Sequence, residues 1–126
     1  MGEFDWNKYI DLSQYLIDNL TLDDELRYRS AISRSYYAAF NKAKLFAQSK
    51  SWISQNNTYL QHSEVRNAFT NRGQLTVIVE LLARMEGRRN SCDYDTILSF
   101  SKKSLRSIAL EVLFEARQIF RMLGQN

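Results

Sequence analysis

The chain has 126 residues, enough for one domain that buries about two thirds of the surface its unfolded form exposes. Hydrophobic residues at 44% and charged residues at 25% are an ordinary globular balance, which excludes disordered, collagen-like and membrane classes. The net charge of +3 does not argue for nucleic acid without a concentrated basic surface, and one cysteine and one histidine leave no disulfide and no metal site to expect.

The absence of proline and the presence of only four glycines fit long helices. Asp5 is placed to cap a first helix running to about Leu20, with Trp6, Tyr9, Ile10, Leu16 and Leu20 among its apolar positions. Thr21 is then expected to cap a long helix, Leu22 to Gln48, whose first turn holds Asp23, Asp24 and Glu25 where the macrodipole favours negative charge. Small residues at Ser30, Ala31, Ser33, Ser35, Ala38 and Ala39 leave room for neighbours on more than one side, so this helix is predicted to be central. Ser49 to Asn57 is polar and aperiodic and reads as a loop around an isolated Trp52.

Thr58 and Gln61 have capping-box spacing for a shorter helix carrying Leu60, Val65, Ala68 and Phe69 and stopping at Gly73. From Gln74 a further helix carries Leu75, Ile78, Leu82 and Met85, then turns polar at Arg84, Glu86, Arg88, Arg89, Asn90, Asp93 and Tyr94. Asp95 to Phe100 connects to a last helix, from Ser99 or Ser101 to Leu123, with Leu105, Ala109, Val112, Ala116, Ile119 and Leu123 on its stripe and Gly124 at its end. The expected fold is a single all-α domain over residues 1–126, an up-down bundle of four main helices plus one short helix. The longest apolar run, broken by Glu80, is far too short to span a membrane, and acidic Glu3, Asp5 and Asp11 occupy the place of a secretion signal. A cytoplasmic location without a membrane partner is the expectation.

Several polar residues carry candidate chemistry. Arg34 and Tyr37 share a helix face, which suits phosphate or nucleotide contact, an internal pair of Arg34 with Asp93, or an interface. Arg89 and Asp93 are four apart, so Asp93 is placed to orient Arg89 or Arg34. Lys102, Lys103 and Arg106 crowd a helix start, where the dipole disfavours cations; with Arg84, Arg88 and Arg89 they form either a basic rim for phosphate or a solvated face. His62 is the one side chain whose ordinary pKa, about 6.5, suits general acid or base work, against the plainer reading of a capping-region histidine. Cys92 reads as a small packing residue.

The segment Arg29-Ser-Ala-Ile-Ser-Arg-Ser-Tyr-Tyr-Ala-Ala-Phe40, followed by Arg88-Arg-Asn-Ser-Cys-Asp-Tyr94, resembles the HEPN domain, the higher eukaryotes and prokaryotes nucleotide-binding fold. The resemblance runs from Trp6 to Leu123 and looks closest to the small stand-alone prokaryotic branch. It implies a helical bundle, a homodimer, metal-independent RNA cleavage in some members, a toxin-antitoxin or phage-defence setting, and a minimal nucleotidyltransferase as a partner protein.

Catalytic members carry an arginine, a polar residue, a variable stretch and a histidine. Here Arg89 and Asn90 match the first two positions, Tyr94 stands where the histidine would be, and no histidine follows. Cleavage through the RNA 2′-hydroxyl needs a base and a cation for the phosphorane charge, and a tyrosine of pKa about 10 is a poor base at neutral pH. The resemblance therefore implies a module acting through RNA or nucleotide contact and protein partners, without the full catalytic motif and without a cofactor. Arg34, Tyr37, Arg88, Asp93, Lys102 and Lys103 are its expected contact residues. Two alternatives stand beside it. One is a metal-independent endoribonuclease with Arg89 on the scissile phosphate, Asn90 positioning, and Tyr94 or a second copy's His62 moving the proton. The other is a structural dimerisation domain.

Overall fold

A computed structural model describes residues 3–56, 60–100 and 102–124, with the side chains of Lys102 and Lys103 outside the description. Five helices, α1 (Asn7–Asp18), α2 (Asp24–Ser49), α3 (His62–Asn67), α4 (Val77–Tyr94) and α5 (Lys102–Leu123), make an all-helical bundle, and a 3-10 turn, Gly73–Thr76, leads into α4. Helix α2 packs against all four others, as its small residues predict. Ala31, Ala38, Ala39, Ala43 and Ala47 are fully buried along it, and the equally buried Ser13 of α1 donates its hydroxyl to the Ala31 carbonyl at 3.0 Å. A larger side chain at either position would push the two backbones apart.

Contacts between the elements fix their directions. Arg27 near the start of α2 reaches the Ile17 carbonyl at the end of α1, so these helices run antiparallel. Arg29, Ser33 and Tyr36 meet Asp95, Asp93 and Arg89 in reverse order, so α4 is antiparallel to α2 as well. Lys42 lies over the Phe120 ring, and Tyr28 and Leu105 share a surface recess, so α5 runs parallel to α2. Up, down, up and down is the resulting order of the main helices.

Helix boundaries differ from expectation for local reasons. Helix α1 stops at Asp18 because Asn19 takes an extended conformation, and Leu20 is left 82% exposed in the turn. Thr21 does not cap α2: Asn19 Oδ1 captures both its hydroxyl (2.6 Å) and its N–H (3.1 Å). Asp23 caps instead, its carboxylate accepting the Leu26 N–H at 2.9 Å. Asp23→Ala should therefore cost about 1 kcal/mol in a denaturant titration, whereas an equal loss from Thr21→Ala would contradict this assignment. Thr58 lies outside the described residues; at α3 the Glu64 carboxylate reaches back to the Gln61 N–H at 3.3 Å, completing a capping box on Gln61. Gly73 does adopt a left-handed conformation (φ 63°), but α3 has already ended at Asn67, and the glycine opens the 3-10 turn that delays α4 to Val77. Gly124, at φ 83°, ends α5 as expected.

Trp52 and Phe69 pin the connection between α2 and α4. Phe69 is fully buried, with its ring centroid 5.5 Å from Trp52 and 6.2 Å from Phe46. These contacts hold the segment after α3 against the C-terminal end of α2, and His62 at the start of α3 stacks on Tyr36 and Phe40 nearer the middle of α2.

Candidate functional site

At that place α2, α3 and α4 bring a polar group together around Tyr36. Tyr36 is fully buried, and its hydroxyl bonds the Nδ1 of His62, the first residue of α3. The imidazole stacks on Tyr36 (5.5 Å between centroids, 11° between planes) and more closely on Phe40 (4.3 Å, 22°). From α4, Glu86 sets a carboxylate oxygen 3.6 Å from His62 Nδ1 and binds Arg66 of α3 with its other oxygen. The Arg89 guanidinium lies 5.2 Å from the Tyr36 ring centroid and 5.1 Å from that of Tyr37.

Spacing within each helix fits this arrangement once α3 is docked. His62 and Arg66 are one turn apart on α3, and Glu86 and Arg89 are three apart on α4, so each pair presents one face to the same stretch of α2. Arg89 is 5% exposed, and Asp93, its one carboxylate partner among the described residues, stands 3.6 Å away with Ser33 donating to the same oxygen at 3.3 Å. Arg89 Nε has no hydrogen-bond partner among the described residues. Two aromatic faces supply what hydrogen bonds do not, since a desolvated cation–π contact contributes about 2 kcal/mol.

Burial pushes the Tyr36 phenol above its ordinary pKa, with Glu86 adding to the rise, so the hydroxyl keeps its proton. Burial also holds His62 below 6.5; Arg89 and Arg66 reinforce this and Glu86 opposes it. At neutral pH the ring is therefore uncharged. The buried Tyr36 hydroxyl has no other acceptor for its proton among the described residues, and Glu86 at 3.6 Å is too distant to accept from Nδ1, so we assign the phenol as the donor to Nδ1 and the ring proton to Nε2. His62 in this setting is a hydrogen-bond donor at Nε2, with its basic nitrogen already used.

The folded state thus resists protonation of His62, and its stabilisation is complete above the unfolded pKa. As pH falls from 6.5 toward the lower folded value, the unfolded chain takes up the proton first and stability declines. Denaturation midpoints at pH 7.5 and pH 5 should differ more for the natural chain than for His62→Gln; an identical difference would contradict the geometry.

The other sequence candidates lie differently. Asn90 is exposed, and Tyr94 is 74% exposed and sits about 140° around α4 from Arg89, so neither joins the Tyr36 group. Arg34 turns toward α1, its guanidinium 5.3 Å from the Tyr9 ring, and Asp93 pairs with Arg89 instead. Tyr37 alone of the α2 pair stays with the group.

The basic rim is not assembled from α4 either. Arg84 donates to Glu115 at 2.9 Å, and Arg88 stands 3.2 Å from Glu111, so both are drawn onto α5, on a different face from Arg89. Lys102 and Lys103 fall outside the described side chains. Cys92 is buried, which pushes its thiol up to about 11, in keeping with a packing role.

Two participants, Arg66 and Glu86, had no prominence in the sequence. Their signal was the His62–Arg66 and Glu86–Arg89 spacings, visible only once the two helices were known to face one residue of α2. Comparison of the chain with protein-family models, with curated proteins and with solved structures gives no match.

Proposed function

We propose that this chain is a HEPN-type module that contacts RNA or nucleotide phosphate at the His62 edge of the Tyr36 group and does not cleave it. The observation that carries this reading is the contact of the Tyr36 hydroxyl with His62 Nδ1, which, with the phenol as donor, leaves Nε2–H as the ring's remaining donor. The His62 and Arg66 side chains are 30% and 23% exposed, so both can meet a ligand. Arg89 lies too deep to grip a phosphate alone and acts from behind as a fixed positive charge. Opposing charges from Glu86 and Asp93 balance the two arginines, so the contact is a weak one. A Kd of the order of 10⁻⁵ M at physiological salt is expected, weakening as salt rises. The resemblance supports a toxin-antitoxin or phage-defence role, with a second copy or a nucleotidyltransferase-type protein as partner.

Cleavage is the second reading, and one observation favours it: His62 and Arg89 meet the same tyrosine within one chain, without help from a second copy. Fluorescence anisotropy with a structured RNA, followed by gel analysis in chelator, separates the two. Binding should weaken about tenfold in His62→Ala and be largely retained in His62→Gln, whose amide also donates, while the RNA stays intact. Cleavage in the natural chain that disappears in His62→Gln would replace the binding reading with the catalytic one.

A further inference from the structure

A concave surface lies apart from the Tyr36 group, at the end of the bundle where α1 begins and α5 finishes. Phe4 and Trp6 from the segment before α1, Phe46 of α2 and Phe120 of α5 line a recess of about 360 Å³. Phe120 is 2% exposed and forms its floor. The wall that precedes α1 is held by ring contacts. Trp6 lies 4.8 Å from Phe4 at 71° between planes and 5.1 Å from Tyr9 of α1 at 88°, which are favourable edge-to-face arrangements. The recess is therefore formed from three elements, each fixed by its own packing.

Charges of opposite sign stand at this recess. The Asp5 carboxylate accepts the Asn7 N–H at 3.0 Å and the Asn7 side-chain amide at 3.2 Å. Both bonds fall on Oδ1, so the carboxylate is oriented while Oδ2 can still accept from a ligand. Glu3 adds a second acid to the lining. The Lys42 ammonium lies 5.6 Å from the Phe120 ring centroid. An ammonium has three N–H donors, so it can bond a ligand alongside a protein partner.

Size and lining narrow the ligand. A volume near the small end of ligand pockets, with aromatic walls and a few polar groups, suits a small molecule. Ring walls favour a flat ring, which they meet edge to face or offset. A purely anionic ligand would oppose Asp5 and Glu3, and a purely cationic one would oppose Lys42. A zwitterion meets both signs correctly. We propose that the recess binds a free aromatic α-amino acid, its ring against Trp6, Phe46 and Phe120, its carboxylate at Lys42 and its ammonium at Asp5.

L-Phenylalanine is the probe, and proton–nitrogen NMR of the two tryptophan indoles is the readout, assigned with a Trp52→Phe variant. The Trp6 signal should move more than that of Trp52, with a Kd of the order of 10⁻³ M for a ligand of this size. Phenethylamine lacks the carboxylate and 3-phenylpropionate lacks the ammonium, so each should bind about tenfold more weakly. Lys42→Gln should abolish the advantage over phenethylamine. Asp5→Asn combined with Glu3→Gln should abolish the advantage over 3-phenylpropionate, and asparagine can still accept from Asn7, which protects the fold. No RNA is present, so the result is independent of the reading of the His62 edge. A Trp6 signal unmoved at about 20 mM phenylalanine would overturn the proposal, as would equal affinity for the three compounds or folded variants with unchanged selectivity.

Discussion

Phe69→Ala is expected to lower the unfolding free energy by about 3–5 kcal/mol, the range for deleting a fully buried phenylalanine side chain. Phe69 has no exposure and follows α3, which is only six residues long and too short to be stable by itself. Its ring, with Trp52 and Phe46, holds α3 against α2. The loss should therefore appear in the denaturant midpoint and in the site together, with His62 leaving Tyr36 before global unfolding. A midpoint shift below about 1 kcal/mol would mean that neighbouring side chains refill the space, and that α3 is held by its polar contacts.

Arg89→Ala is expected to cost about 2–3 kcal/mol. Removing one partner of a buried pair costs about 3–5 kcal/mol, and the 27% exposure of the Asp93 side chain lets water relieve part of that. The substitution also opens space against Tyr36 and Tyr37 and removes a positive charge behind His62. Stability and RNA affinity should consequently fall together. Arg89→Lys restores the charge without the planar group that stacks on two rings, so it should recover less than half of the lost stability. Full recovery with lysine would show that charge alone matters there, and the aromatic contacts would then need another explanation.

Much of the fold was legible because it rests on patterns one helix long. The α5 stripe, the small residues of α2 and the left-handed Gly124 each act locally, and the bundle follows from them. Boundaries were less legible where two polar residues competed for one N–H, as Asn19 took the Thr21 groups and left Asp23 as the cap. The Gly73 stop misled because Asn71 also takes a left-handed conformation, letting the chain reverse before the glycine.

The candidate site was only half visible. Arg89 and His62 stood out by residue type, but their meeting at Tyr36 depends on how α3 docks, which no spacing encodes. Arg34 and Tyr37 are three apart, yet Arg34 leans to Tyr9 and Tyr37 to Arg89, because α2 is covered by α1 on one side and α4 on the other. A central helix sends neighbouring residues to different partners. For Arg84 and Arg88 the deciding residues were Glu111 and Glu115, acids on a helix whose apolar stripe drew attention away from them.

His62 is the single histidine, so its ring can be followed by nitrogen NMR without ambiguity of assignment. A long-range proton–nitrogen spectrum at neutral pH should show the Nε2–H tautomer, with Nδ1 as a hydrogen-bonded acceptor. Adding a short single-stranded RNA should shift Nε2 more than Nδ1. An Nδ1–H tautomer, or a ring unmoved by RNA at concentrations where anisotropy reports saturation, would contradict the proposal that this edge of the Tyr36 group meets phosphate.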